Sequence, residues 1–287
     1  MRISAVFIVK NEQDMIVAAL ESVKEADEII VIDTGSTDLT KEIAARYTDK
    51  IFDFPWIDDF AAARNEAIRH ATGDWIYSID ADQLLLSPIK ALREEARLAE
   101  EEGHKVLLVK TLAGPDRKQI HWREVFFKND PEVYWVGAVH EALTMRGTKR
   151  STIERFRGSS PSKAADPERN LRILEGQEKT QRNLFYLGRE NYERKRYGVA
   201  IKWLTNYIQN PSWTGERAEA YLTLARCYWF TNQGDKAREA CLEAVRLNPM
   251  FREALLLMST LYHSPNKEKW AALAKAADNS DVLFIRT

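Results

Sequence analysis

The sequence predicts a chain of two domains, an α/β layered domain followed by an all-α helical domain. Three observations carry that prediction. From Ile3 to about Glu102, short apolar runs alternate with segments of helical period, as in a layered sheet with right-handed crossovers. The one Ser/Pro/Gly cluster, Gly158 to Pro167, then interrupts the chain. Beyond about Leu184, small and aromatic residues recur at a spacing near that of stacked helical hairpins. The expected divisions are residues 1–157, a linker and connecting helix over 158–180, and helical repeats over 181–287. Charge divides in the same place. Residues 1–160 carry 22 Lys and Arg against 28 Asp and Glu, and residues 161–287 carry 20 against 15, so the two parts suit different partners.

Composition excludes several classes. With 45% hydrophobic and 30% charged residues the chain reads as globular. No apolar run approaches the roughly 20 residues of a membrane helix, so no membrane insertion is expected. Ile3 to Val9 is too short for a secretory core and is closed by Lys10-Asn11-Glu12. A cytoplasmic location is therefore expected. Cys227 and Cys241 have neither a disulfide framework nor metal-ligand spacing and are expected to be reduced core residues.

Taken in order, Ile3 to Val9 is the nearly continuous apolar run of a parallel strand buried on both faces. Asp14 to Val23 has helical spacing through Ile16, Leu20 and Val23. Glu28 to Ile32 is a second strand, closing in Asp33-Thr34-Gly35-Ser36-Thr37-Asp38, whose Gly35-Ser36-Thr37 turn suits a helix cap as well as a ligand. A helix over Thr40 to Tyr47, a strand over Lys50 to Phe54 and a helix over Phe60 to His70 follow. Trp75 to Ile79 is then a buried strand ending in Asp80-Ala81-Asp82. Two carboxylates where a buried strand emerges are costly unless a positive group sits between them. Oxygen ligands suit Mg²⁺ or Mn²⁺. By itself Asp-x-Asp does not decide between that and a solvated turn or a cap for the helix after Pro88. In parallel sheets, however, ligands bind beyond the carboxyl ends of the strands, and that rule gathers Lys10 to Glu12, Asp33 to Ser36 and Asp80 to Asp82 along one edge.

The ordered set Val9-Lys10-Asn11-Glu12, Asp33-Thr34-Gly35-Ser36-Thr37-Asp38, Ala63-Arg64-Asn65 and Gly73-Asp74…Asp80-Ala81-Asp82 resembles family 2 glycosyltransferases of the GT-A fold. The resemblance implies a nucleotide-diphosphate-sugar donor, a UDP-sugar in the typical case, with Mn²⁺ or Mg²⁺ on its phosphates. Ile8, Val9 and Glu12 would line the nucleotide pocket, Asp33 would read the base, and Arg64 would lie near the phosphates. Asp80 would sit at the ribose and metal, and Asp82 would bind the metal. Gln83 departs from the pattern, in which an acid usually follows the second Asp, and lowers the expected metal affinity.

Ser87-Pro88 opens a helix to about Glu102, with Leu92, Ala96 and Ala99 on one face and a solvated run through Glu94-Glu95 and Glu100 to Glu102. Val106 to Leu112 is a strand and Gly114-Pro115-Asp116-Arg117 a turn, with extended character resuming at Val125 after His121-Trp122-Arg123-Glu124. Trp122, Tyr134 and Trp135 suit a sugar platform and the core equally. Gly137-Ala138-Val139-His140-Glu141 resembles a segment of the lipopolysaccharide-core-type and peptide-modifying members, in which the acid stands where inverting enzymes keep their base. Glu141 is then the candidate base and His140 a metal or phosphate neighbour. Related enzymes commonly carry a histidine near residue 155, where this chain has Arg155 and Arg157; arginine binds phosphate but does not ligate a metal.

In the tail, Gly188 and Ala225 are 37 residues apart, and Ala225 and Ser259 are 34 apart. With Ala200, Ala237 and Ala271 as close-approach positions, this resembles about three tetratricopeptide repeats turning at Asn232 to Asp235. Such helices offer a surface for a protein partner or a homodimer. The basic run Arg189, Arg194, Lys195, Arg196 reads as a solvated face, and residues 158–167 as a linker, or a lid as in nucleotide-bound relatives. The whole resembles sublancin-type peptide glycosyltransferases: an inverting enzyme acting on a hydroxyl or thiol of a glycan, peptide or other macromolecule. The alternative is a catalytically weak scaffold whose tail binds a partner. A sugar nucleotidyltransferase would need a Gly-rich loop after the first strand, which Val9 to Glu12 lacks.

Overall fold

The structure, a computed structural model, describes residues 1–114, 116–158, 166–210 and 213–277. The chain forms two compact units that divide between Pro167 and Glu168. The expectation of a linker or lid over 158–167 falls mostly on 159–165, outside the described residues. No helix among the described residues is long and apolar enough to cross a membrane.

The first unit is a mixed sheet. Strand β1 (Ile3–Val9) is flanked by parallel neighbours β2 (Glu28–Asp33) and β4 (Trp75–Ser78), and β3 (Ile51–Asp53) extends the β2 side. Helices α1 (Ile16–Val23), α2 (Thr40–Ala44) and α3 (Phe60–His70) fill the connections, as the alternating pattern requires. Asp59 caps α3, its side chain accepting from the Ala62 amide at 2.9 Å. Strands β5 (Gln83–Leu85), β6 (Val106–Ala113), β7 (Gln119–Lys128) and β10 (Lys149–Arg157) complete the order β3-β2-β1-β4-β7-β6-β10-β5. Beyond β4 the pairing is mixed: β7 runs antiparallel to β4 and β6, β10 parallel to β6, and β5 antiparallel to β10. A separate ribbon pairs β8 (Trp135–Val136) with β9 (Ala142–Leu143). Ile3, Ala5, Phe7, Ile30, Val31 and Ile32 are fully buried, which is why β1 and β2 read as unbroken apolar runs.

Three expectations change. Strand β5 was hidden because three residues are too few to display a period. Strand β7 is continuous from Gln119, so His121 to Glu124 lie within a strand. Glu95 of α4 (Ile89–Glu101) is buried rather than solvated, because its carboxylate accepts from the Thr152 amide at 2.8 Å and from the Thr152 hydroxyl.

Gly73, just before β4, is fixed by a close approach: a Cβ there would stand 2.5 Å from the Ser4 hydroxyl oxygen and 2.9 Å from its amide nitrogen. The same junction holds Glu28, which accepts from the Ser4 hydroxyl, the Lys50 ammonium and the amides of Thr72 and Gly73. Burial alone would push this carboxyl up, but those donors outweigh it and hold it at about 2.

The second unit is helical. Helix α5 (Arg169–Gly176) precedes the antiparallel pairs α6 (Gln181–Glu193) with α7 (Tyr197–Tyr207), α8 (Thr214–Phe230) with α9 (Gly234–Leu247), and α10 (Arg252–Leu261) with α11 (Asn266–Ala276). Lys195 (φ 57°) and Asn232 (φ 58°) make the same left-handed turn between the helices of the first two pairs, and they lie 37 residues apart, as Gly188 and Ala225 do. Gly188, Ala200, Ala225 and Ala237 are buried, but Ala271 is exposed; Ala274, one turn on, takes the inward place because α11 is rotated relative to the expected register. Arg194 is ion-paired to Glu168 and Glu190 rather than solvated. Cys227 and Cys241 are free and buried, and burial pushes both thiols up to about 12.

Two measurements check this account. The Glu28 carboxyl titrates lower in the folded chain than in the unfolded one, so its stabilisation is present above about pH 4.5 and is lost as pH falls toward about 2. Glu28→Ala should cost about 2–3 kcal/mol at pH 7 by urea denaturation, a difference that shrinks across that window. Gly188→Ala would place a Cβ 2.4 Å from Leu204 Cγ, so it should lower the melting temperature of the helical unit by several degrees.

Candidate active site

The parallel strands end in loops that interlock. Beyond β1, the Val9 carbonyl accepts from the Thr34 amide at 2.9 Å and the Thr34 hydroxyl at 3.0 Å. Asn11, at φ 54°, donates its amide to Ser36 and accepts from the Thr37 amide through its side chain. Glu12 is buried, and its amide donates to Thr40. These bonds bring Ile8, Val9, Glu12 and Asp33 to one edge. Asp33 is almost fully buried; its Oδ1 accepts from the Gly35 and Ser36 amides at 2.9 and 2.8 Å, while its Oδ2 has no hydrogen-bond partner. At α2 the local cap bonds come from Asp38, which accepts from Thr40 at 3.0 Å, and not from Gly35-Ser36-Thr37.

Arg64, on α3, is the centre of the site. Its Nε donates to Glu141 at 2.7 Å, one terminal nitrogen to Ser78 at 3.1 Å and the other to Asp80 at 2.8 Å. The guanidinium also lies 5.3 Å from the centre of the Trp135 ring. The next residue, Asn65, donates to the Trp135 carbonyl at 2.9 Å and accepts from the Trp135 amide at 2.8 Å. The Phe60 amide, at the start of α3, donates to the Ala138 carbonyl. One helix therefore pins the whole loop between β8 and β9. That loop turns through Gly137 (φ 95°) and His140 (φ 55°) and delivers Glu141 to Arg64. Trp135 is buried and Tyr134 half exposed, so of the two only Tyr134 has an open ring.

The electrostatics follow from this geometry. Burial raises the Asp80 and Glu141 carboxyls, but the Arg64 charge outweighs it; Asp80 is held at about 2 and Glu141 below the usual carboxylate range. Asp82 goes the other way. Burial and the neighbouring Asp80 charge push it up to about 6, against only partial relief from Arg157, whose Nε is 4.0 Å away. Gln83 is buried and bridges the strands, donating to Asp80 at 2.7 Å and accepting from Arg155 at 2.6 Å. Arg155 also donates to Thr111 at 2.9 Å, and burial pushes it down to about 10, still charged at neutral pH.

The residues present fit a divalent ion in a restricted way. Asp82 is a partly buried carboxylate with surplus negative charge around it, whereas Asp80 is already engaged by Arg64 and Gln83. Among the described residues no three His, Cys, Asp or Glu side chains form a ready metal cluster, so Asp80, Asp82 and His140 are not a preassembled set of ligands. Ser78, Thr111, Gln83 as a bridge and the buried His121 escaped sequence reasoning. Only the odd-numbered alternation of His121 and Arg123 could have signalled the last of these, once β7 is read as one strand.

Residues 4–156 match the profile of the family described as glycosyl transferase family 2. A TPR repeat-containing protein of Synechococcus elongatus is 39% identical over 146 residues, which cover 50% of this chain and 35% of that protein. The SPbeta prophage-derived glycosyltransferase SunS of Bacillus subtilis is 45% identical over 86 residues, covering 27% of this chain and 19% of SunS. This chain thus spans about a third or less of the length of either relative. Among solved structures, S. aureus TarS 1-349 in complex with UDP-GlcNAc superposes with a TM-score of 0.48 at 15% identity, covering 96% of this chain and 89% of that one.

Arg64→Met would leave two partly buried carboxylates without their cation. Discounted for the solvent that reaches Asp80, the loss should be about 1–3 kcal/mol for the first unit at pH 7.5 in urea unfolding. Part of the loss should return at pH 5, since Asp80 and Glu141, no longer held low, then bind protons.

Proposed function

The chain belongs to glycosyl transferase family 2, and on that premise we propose that it is an inverting glycosyltransferase using a nucleotide-diphosphate sugar. The observation that carries the reading is the Asp80–Arg64–Glu141 bridge, which ties the donor-side carboxylate to a second carboxylate delivered by the opposite loop. Inverting transfer needs a base near the acceptor and charge neutralisation at the departing diphosphate, on opposite sides of the anomeric carbon. Glu141 is the base: with its carboxyl held low it is ionised at neutral pH and accepts the proton of the acceptor hydroxyl or thiol as the new bond forms. Arg64 fixes its orientation.

On the donor side, Ile8, Val9 and Glu12 border the nucleoside. The partnerless, buried Oδ2 of Asp33 suits a ring N–H such as that of uracil, which supports a UDP-sugar donor. Asp82, with Asp80 beside it, would hold Mn²⁺ or Mg²⁺, and His140 is the remaining candidate neighbour. Such an ion would neutralise charge on the leaving diphosphate. Arg64, already engaged by two carboxylates, reaches phosphate only by sharing a donor with Asp80. The helical unit presents the acceptor (a glycan, a peptide or another macromolecule), binds a protein partner or pairs two copies of the chain.

Asp82→Ala should lower nucleoside-diphosphate release from a UDP-sugar panel by at least about a hundredfold while circular dichroism stays unchanged; full turnover would remove Asp82 from the reaction. Glu141→Gln should keep the donor dissociation constant within about twofold and lose transfer by at least about a hundredfold. Calorimetry with Mn²⁺ and each UDP-sugar tests the donor class, and binding to none of them ends the uridine reading.

A further inference from the structure

We infer that His121, together with Arg157 and Arg123, forms a subsite for a substrate oxyanion, a phosphate or a carboxylate, next to the donor carboxylates. The identity of the substrate rests on the glycosyltransferase reading; the existence of the subsite does not.

His121 on β7 lies directly opposite Thr111 of β6, and Thr111 lies opposite Arg155 of β10. Residues directly opposite share a sheet face, and the bond from Arg155 to the Thr111 hydroxyl confirms the face for that pair. Arg123 and Arg157 lie two residues along from His121 and Arg155, and alternation returns them to the same face. His121 is only 6% exposed, yet neither ring nitrogen has a hydrogen-bond partner. Such a group is costly to bury, which gives a bound ligand something to repay. Burial, then the charges of Arg123 and Arg157, push its pKa down, so it stands as a neutral imidazole with one N–H to donate. An N–H flanked by guanidinium charge is matched by an oxygen-rich anion, which accepts from the imidazole and from Arg157 while the Arg123 charge adds to the field. Arg157 is partly open to solvent and 4.0 Å from Asp82, so the subsite adjoins the proposed diphosphate position. The anion is then either the donor's diphosphate or an acidic group of the acceptor.

The test uses the full chain, with His121→Leu and Arg157→Gln. Because leucine removes an unpartnered buried polar group, His121→Leu should melt at the same temperature as the wild type or higher. If the anion belongs to the donor, both variants should weaken UDP binding about tenfold in calorimetry while UMP changes less than twofold. If it belongs to the acceptor, inorganic phosphate should bind the UDP-saturated wild type and neither variant, with UDP affinity unchanged. The proposal is overturned if UDP and phosphate binding are the same in all three proteins, or if His121→Leu melts lower with binding intact, as a purely structural histidine would. Should the wild type bind no UDP, the nucleotide reading fails by itself, and inorganic pyrophosphate takes its place. Loss of pyrophosphate binding in His121→Leu then supports the subsite, and equal or absent binding in both proteins refutes it.

Discussion

The partly buried guanidinium of Arg64 is the interaction on which the rest of the site depends. It stands between two carboxylates from distant parts of the chain, Asp80 beyond β4 and Glu141 beyond β8, and hydrogen-bonds to both. Two like charges at that depth repel one another and lose hydration; a planar cation with several donors offsets both costs only if its geometry is fixed. That geometry comes from α3, whose Asn65 and Phe60 hold the same loop that carries Glu141. Position, charge and loop conformation are thus set by one helix.

The neighbouring departure at Gln83 has a similar logic. An acid there would pair with Arg155 but repel Asp80, which is already close to Asp82. The amide serves both sides at once, accepting from Arg155 and donating to Asp80. Gln83 and Arg155 are therefore one arrangement and not two separate losses. It leaves Asp82 as the carboxylate with surplus charge and makes the β10 side of the site cationic.

The helical unit follows a simpler rule. A glycine at position 188 lets Leu204 sit against the backbone of α6, and buried alanines repeat that closeness in the next pair. The left-handed residues at Lys195 and Asn232 close the two turns in the same way. This is the economy of a repeat: each hairpin buries its apolar face against the next, and the period in sequence is the period in space.

The sequence by itself determined the parallel strands β1 to β4, the helices between them and the edge at which the strand-end motifs meet. Buried parallel strands must be continuously apolar, and chain direction then fixes where their ends lie. That Glu12, Asp33, Asp80 and Asp82 lie at that edge was legible for that reason, whereas Glu141 stood out only by the motif around it. Only the tertiary structure decided what those carboxylates face. That Arg64 joins Asp80 to Glu141 depends on how α3 docks against the loop after β8, and that Gln83 meets Arg155 and His121 is buried beside arginines depends on cross-strand register. Register is a relation between segments tens of residues apart, and it leaves no mark in the local pattern of either one.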